Sequence, residues 1–319
     1  VGFGELVGQN LGSPAVLAFV LGAVAVRLKS DLRFPDAVTS LLSTYLLLAI
    51  GLKGGLRLRQ ASFDDLLLPL VATIVIGVVT PVVAYVVARR FLKRAPIDAA
   101  ALAAHYGSVS AITFTAAETF VKNAGTLDEN YLAALVAVLE VPGILVALLI
   151  ANKVSGRSSM RSALHEVATG RSVVLLIGGL IIGFVASAQS ATLVEPLFVT
   201  LFPGVLVLFL LDLGVLAGAR FEVIKQAGVR FLVFAVALPV VFGAFGAVAG
   251  TMAGLSVGGA TVLAAMSASA SYIAAPAAVR IGMPQADAGL SLGGALGITF
   301  PFNLVIGIPL YAELAARLA

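Results

Sequence analysis

Apolar runs about 20 residues long, separated by short polar or charged connections, recur along the whole of this 319-residue chain. A helix needs roughly 20 mainly apolar residues to cross a bilayer. On that measure, spans are predicted near 13–28, 36–54, 66–89, 97–121, 130–151, 172–188, 196–218, 229–250, 257–279 and 287–316. The first is short, and the last is long enough to be tilted or broken. The connection from Asn152 to Ser172 is the longest polar stretch and divides the spans five and five. The organisation is therefore read as residues 1–151, a linker at 152–172 and residues 173–319. An odd number of spans per half forces any internal repeat to have inverted topology.

Weak self-similarity follows the same division, in order along the chain. Ala49-Ile-Gly-Leu-Lys-Gly-Gly55 resembles Asp212-Leu-Gly-Val-Leu-Ala-Gly218, setting Gly51 against Gly214 and Gly55 against Gly218. Pro81-Val-Val matches Pro239-Val-Val, and Ser108-Val-Ser110 matches Ser269-Ala-Ser271. Asp128 falls opposite Asp287, and Val141-Pro142 opposite Phe300-Pro301. The separations all lie between 158 and 163 residues, which chance matches do not produce in sequence order.

Composition settles the solvent. A chain that is 60% hydrophobic and 11% charged cannot enclose its apolar surface in one water-soluble core, so lipid surrounds it. Lys and Arg accumulate on the cytoplasmic side of membrane proteins. With the N-terminus outside, the inside connections at 27–33, 89–94, 153–171 and 220–230, with Arg280, hold 15 of the 20 basic residues. Both termini then face outward from a cell (inner) membrane, and the basic residues need no nucleic acid to explain them. No basic segment precedes the first apolar run, so no cleavable signal pattern is read. The absence of Cys removes thiolate metal sites and thiol nucleophiles, and two His make a histidine-rich centre implausible. No GxxxxGK loop, HExxH run or Ser-His-Asp spacing supports ATP-driven pumping or hydrolysis, so the chain reads as no enzyme and as needing no cofactor.

Candidate chemistry gathers where spans are interrupted by small residues, because irregular backbone at membrane depth is tolerated only inside protein or beside a water-filled cavity. The fourth span carries His105-Tyr-Gly-Ser-Val-Ser-Ala-Ile-Thr113, and the ninth carries Ser267-Ala-Ser-Ala-Ser-Tyr-Ile-Ala-Ala-Pro276. If both helices break there, backbone N–H groups at the second half-helices face inward with about half a positive charge each. A small oxyanion can then bind without Lys or Arg, using Gly107, Ser108, Ser110, Thr113, Ser269, Ser271 and Ala275. Close helix packing uses the same small residues, and that reading stays open.

Ionisable residues within spans are expensive and mark function by default. Glu140, just before Val141-Pro142, suits sodium, a hard cation that prefers oxygen ligands. Asp212 reads as cation ligand, proton carrier or packing partner. Asn303 offers a neutral carbonyl to the same cation, with Ser110 and Ser271 as hydroxyl ligands, and Thr299 takes the place equivalent to Glu140. Glu118 and Lys122 read as an i,i+4 pair. His105 reads as a lone interfacial histidine or a proton relay.

These residues carry a family resemblance. Ile50-Gly-Leu-Lys-Gly-Gly55, Gly107-Ser-Val-Ser-Ala-Ile-Thr113, Glu140-Val-Pro142, Arg280-Ile-Gly-Met-Pro284 and Thr299-Phe-Pro301, in this order and spacing, make the chain similar to the sodium-dependent bicarbonate transporter family first known from cyanobacteria. The resemblance implies an all-α membrane protein of ten transmembrane helices in two inverted five-helix repeats, with helices 4 and 9 broken. It also implies a core that moves elevator-like against a scaffold or gate, a homotrimer, sodium-coupled bicarbonate uptake, and a small PII-like cytoplasmic regulator as partner. By position, Ser110, Thr113, Ser269 and Ser271 would contact bicarbonate or sodium, and Glu140 takes the place of an Asp. The chain departs from the pattern at Ala111 and Ile112, where the family is richer in Ser and Gly, and at Tyr272, where it has an Asp. Symport of another small anion or monocarboxylate, driven by sodium or protons, is the alternative on the same scaffold. A passive channel and an intramembrane enzyme leave the inverted repeat unexplained.

Overall fold

The computed structural model describes residues 3–155, 165, 167–220 and 226–319. Residues 156–164 and 166 of the expected linker, including Arg157 and Arg161, and the basic residue Lys225 lie outside the described residues. The helices in chain order are α1 (Phe3–Leu11), α2 (Pro14–Arg27), α3 (Asp36–Leu58), α4 (Phe63–Arg90), α5 (Pro96–Gly107), α6 (Ala111–Asn123) and α7 (Leu132–Ser155). They continue with α8 (Arg171–Val185), α9 (Gln189–Ala219), α10 (Val229–Met252), α11 (Val257–Ser267), α12 (Ala275–Gly282) and α13 (Ala288–Leu318). Six of these helices are long and apolar enough to cross a membrane, and a seventh is added if α1 and α2, bent by 65° at Gly12–Ser13, count as one span. The chain is therefore an all-α, multi-pass membrane protein.

Local sequence explains where the helices start and stop. Ser13 Oγ accepts the Val16 N–H and Pro14 fills the first turn of α2, so the chain turns between α1 and α2. The leading helix α1 was not among the expected spans. On α4, Ser62 caps the N-terminus, Asp64 and Asp65 sit in the first turn and Arg89 and Arg90 in the last, each sign matching the helix dipole. The opposite face of α4 exposes Leu67, Leu68, Val71, Ile74 and Val75, as a lipid-facing surface requires. The last helix, α13, contains π-helical turns at Ala295–Thr299 and Asn303–Gly307, flanking Pro301 and preceding Pro309, where the ordinary hydrogen-bond ladder is interrupted.

Packing falls into two sets. α2 lies along α9 and α3 along α8, while α4, α5 and α7 pack together and α10 and α11 pack together with α13. The glycines paired by self-similarity do the same work in both halves of the first set. A Cβ on Gly51 would stand 3.1 Å from the Gly179 Cα of α8, and one on Gly214 would stand 3.1 Å from the Ala23 N of α2. Such contacts between backbones need residues without side chains. In the second set, every residue from Ala99 to Gly107 of α5 and from Gly258 to Ser267 of α11 is buried, so these two short helices are enclosed by protein rather than lipid.

Candidate functional site

The expected fourth and ninth spans are each interrupted: α5 stops at Gly107 and α6 resumes at Ala111, while α11 stops at Ser267 and α12 resumes at Ala275. The two non-helical segments are bonded to each other. Ser110 N–H donates to Ser269 Oγ at 2.8 Å, and Ser271 N–H donates to His105 O at 2.7 Å. His105 Nδ1 lies 2.7 Å from Ser271 O; a carbonyl only accepts, so Nδ1 carries the proton. His105 is thus a buried crosspiece of the two breaks, only 1% exposed, rather than an interfacial residue. Room for the crossing comes from Gly107 and Gly143, whose side chains would strike Pro81 Cα and Ser108 N at 2.9 Å each.

The serines divide into two roles. Ser110 Oγ accepts the Thr113 N–H and Ser271 Oγ accepts the Ala275 N–H, each at 3.2 Å, so each hydroxyl stands at the N-terminal turn of the following half-helix. A hydroxyl that accepts in this way keeps its own proton to donate. The Thr113 and Ala275 N–H groups, one at each half-helix, are therefore already occupied by these caps. Ser269 is fully engaged, since its Oγ also donates to Met266 O at 2.7 Å. Ser108 Oγ donates to the Glu140 backbone carbonyl at 3.2 Å and ties the first break to α7.

Between the breaks lies an enclosed cavity of about 10 Å³, lined by Ser110, Ser271, Tyr272, Glu140, Val109, Ala111 and Ile273, and closed by Leu47 of α3 and Ser172 of α8. This is room for one water or a bare ion. Glu140 is 3% exposed, and its carboxylate makes no hydrogen bond or ion pair among the described residues. The Tyr272 hydroxyl is likewise enclosed, near Ser110 but in no well-formed hydrogen bond among the described residues, its ring packed edge-on against Phe300 at 5.3 Å. A lone buried carboxylate is costly unless it binds a proton or a cation. The donor set is all oxygen and holds one acid, and no cluster of three or more His, Asp or Glu is present among the described residues. That set matches a monovalent hard cation better than a divalent one.

Other expected residues lie elsewhere. Asp212, on α9, accepts from Thr39 Oγ1 of α3 at 2.7 Å and does not line this cavity; of its three readings, the packing bond is the one observed. Asn303 is buried with both ends of its amide in use, Nδ2 donating to Ala268 O at 2.8 Å and Oδ1 accepting from Tyr311 at 2.9 Å. It braces the second break from behind. Thr299 binds Tyr106 and Ala235 O rather than the cavity. Glu118 and Lys122 form the expected i,i+4 pair at 2.8 Å. Sequence reasoning missed Ser172, which carried no signal beyond its place at the start of a span, and noted Tyr272 only as a departure from a pattern.

Comparison with known proteins fits this geometry. A family model described as the Na+-dependent bicarbonate transporter superfamily matches residues 14–316, from the start of α2 to the last turns of α13. No curated protein matches the chain.

Proposed function

The chain belongs to the Na+-dependent bicarbonate transporter superfamily, and from that premise we propose that it is a secondary transporter coupling sodium entry to bicarbonate uptake by alternating access. The observation that carries the reading is the unpartnered Glu140 carboxylate in an ion-sized cavity between two helix breaks. Sodium is the cargo that fits it, with Glu140, Ser110, Ser271 and the Tyr272 hydroxyl as oxygen donors. Bicarbonate then lies against the first turns of α6 and α12, where N–H groups and serine protons meet a negative charge and the bound sodium offsets it.

In this reading the ten expected spans are α2, α3, α4, α5 with α6, and α7, repeated in inverted order of topology by α8, α9, α10, α11 with α12, and α13. Residues 1–151 and 173–319 are the two halves, joined by a cytoplasmic linker, with both termini outside. The set containing α2, α3, α8 and α9 is the scaffold, and the remaining helices are the moving core. The cavity is walled by both sets, through Leu47 and Ser172 on one side and the breaks on the other, so relative motion opens it. The trimer and a PII-like regulator belong to the same proposal.

Uptake of labelled bicarbonate into proteoliposomes, with and without an inward sodium gradient, tests it. Sodium-dependent accumulation is expected, and its absence overturns the reading. A second reading, symport of another small anion with sodium or a proton, draws on Tyr272: the site holds one carboxylate where the family pattern has a further acid. Under that reading, a pH gradient drives uptake of formate or acetate in place of bicarbonate.

A further inference from the structure

A second, larger space lies beyond the ion-sized cavity. About 680 Å³ in volume, it is bounded by α3, α6, the start of α7 and the first half of α9. Leu47, Ile50 and Lys53 share one face of α3, as Ala111, Phe114 and Glu118 do on α6. Leu47 and Ala111 line the small cavity, while the other four line the large one. Ile50 and Phe114, each 1% exposed, are therefore the floor between the two spaces, and Lys53 stands one turn above it.

The charges around that floor are unequal in their commitments. Glu118 is held by Lys122 at 2.8 Å, and Glu129 accepts the Ser256 N–H and Oγ–H at 2.5 and 2.7 Å. Lys53 is half-buried, and among the described residues it enters neither ion pair; its Nζ faces the Phe202 ring at 3.4 Å from the centroid. An aromatic face satisfies one side of an ammonium and leaves its other donors toward the cavity. Ionisable side chains that face a cavity inside a membrane protein are candidate stations on a solute pathway.

We propose that Lys53 is a docking site for a small singly charged anion, held there one turn before it passes the Ile50–Phe114 floor to the site between the helix breaks. The proposal rests on the transporter reading, in which this vestibule opens to the outside. Of the cations in this space Lys53 is the one next to the floor, with Arg57 one turn on and Arg59 further along the chain toward the rim, so a monoanion docked at the floor neutralises Lys53. A dianion would leave excess negative charge beside Glu118, so the site discriminates by valence as well as by sign.

The test uses the full chain in nanodiscs and an amine-acylating reagent, with modification of each lysine followed by peptide mass spectrometry. Bicarbonate and formate are expected to slow acylation of Lys53 while leaving the exposed Lys29 at the far end unaffected, and sulfate at equal ionic strength is expected not to. Equal protection by sulfate, or none by bicarbonate, overturns the proposal. In proteoliposomes, Lys53→Gln is expected to raise the half-saturating bicarbonate concentration about tenfold, the loss of one charge-assisted contact, with the maximal rate retained and Lys53→Arg restoring most of the affinity. An unchanged half-saturation in Lys53→Gln also overturns it. Anion protection of Lys53 without any sodium-dependent uptake would sink the transporter reading alone, whereas uptake without protection would sink this one alone.

Discussion

Glu140 is buried, with no hydrogen bond or ion pair on its carboxylate among the described residues, and Glu140→Gln removes that charge at nearly constant shape. The variant is expected to be at least as heat-stable as the parent in sodium-free buffer, because no hydrogen bond or ion pair is lost with the carboxylate. It is also expected to lose sodium-coupled uptake and the stabilisation that a bound ion confers, about 2.7 kcal/mol at a concentration one hundred times the dissociation constant. Thermal unfolding with and without sodium reads this directly; a sodium-dependent shift surviving in Glu140→Gln would remove Glu140 from the ion site. Ser110→Ala deletes an N-cap, which costs about 1 kcal/mol, yet keeps the backbone bond from residue 110 to Ser269. It should therefore fold with a slightly lower melting temperature and lose coupled uptake; normal uptake would place the anion elsewhere. Tyr272→Phe removes a hydroxyl that makes no well-formed hydrogen bond among the described residues, so its stability should stay level or rise while uptake falls. A clear loss of stability would show that the hydroxyl is bonded within the protein.

Among the elements, the glycine-faced helix pairs give the sharpest expectation. Gly51→Val and Gly214→Val should both lower the yield of folded protein and its melting temperature, since each new side chain meets a neighbouring backbone. Gly204→Val, on the same helix as Gly214 but with nothing within 4 Å of its Cβ position, should not. Equal effects at all three would contradict the packing. The positions of Gly51 and Gly214 stood out in the sequence, and each meets a neighbouring helix backbone, because close backbone contact admits only the smallest residues and so leaves a readable mark. The breaks in the fourth and ninth spans were legible for a related reason, as serine and glycine stand where a lipid-exposed helix carries leucine. The roles within the breaks were not. Nothing in the spelling of Ser108-Val-Ser110 says that one hydroxyl binds the Glu140 carbonyl while the other caps a helix. Ser269 and Ser271 part company in the same way, since tertiary neighbours decide which lone pairs are taken. Asp212 and Asn303 were drawn toward the ion by their chemistry, and the packing of α9 on α3 and of α13 behind the second break assigns them to other bonds.

For the molecule as a whole, alternating access makes a prediction that the cysteine-free chain is suited to test. Thr119 lines the vestibule and is exposed, whereas Ser172 is buried and closes the ion-sized cavity from α8. A single cysteine at 119 should react readily with a membrane-impermeant thiol reagent, and one at 172 should not. Sodium and bicarbonate together should change the reactivity at 172 severalfold. A cysteine at 172 indifferent to both solutes would mean that the two helix sets do not move past one another during transport.

The mutual bonding of the two breaks bears on how faithfully such a machine keeps count. Ser110 with Ser269, and His105 twice with Ser271, join the half-sites from the two ends of the sequence into one cassette. Neither half can travel alone without leaving buried backbone groups unbonded, at about 1–3 kcal/mol for each. Under the proposed symport, an ion on Glu140 and an anion on the neighbouring helix ends would ride one body rather than two. Slippage, the passage of one solute without the other, would begin with the loss of the histidine that laces the two halves.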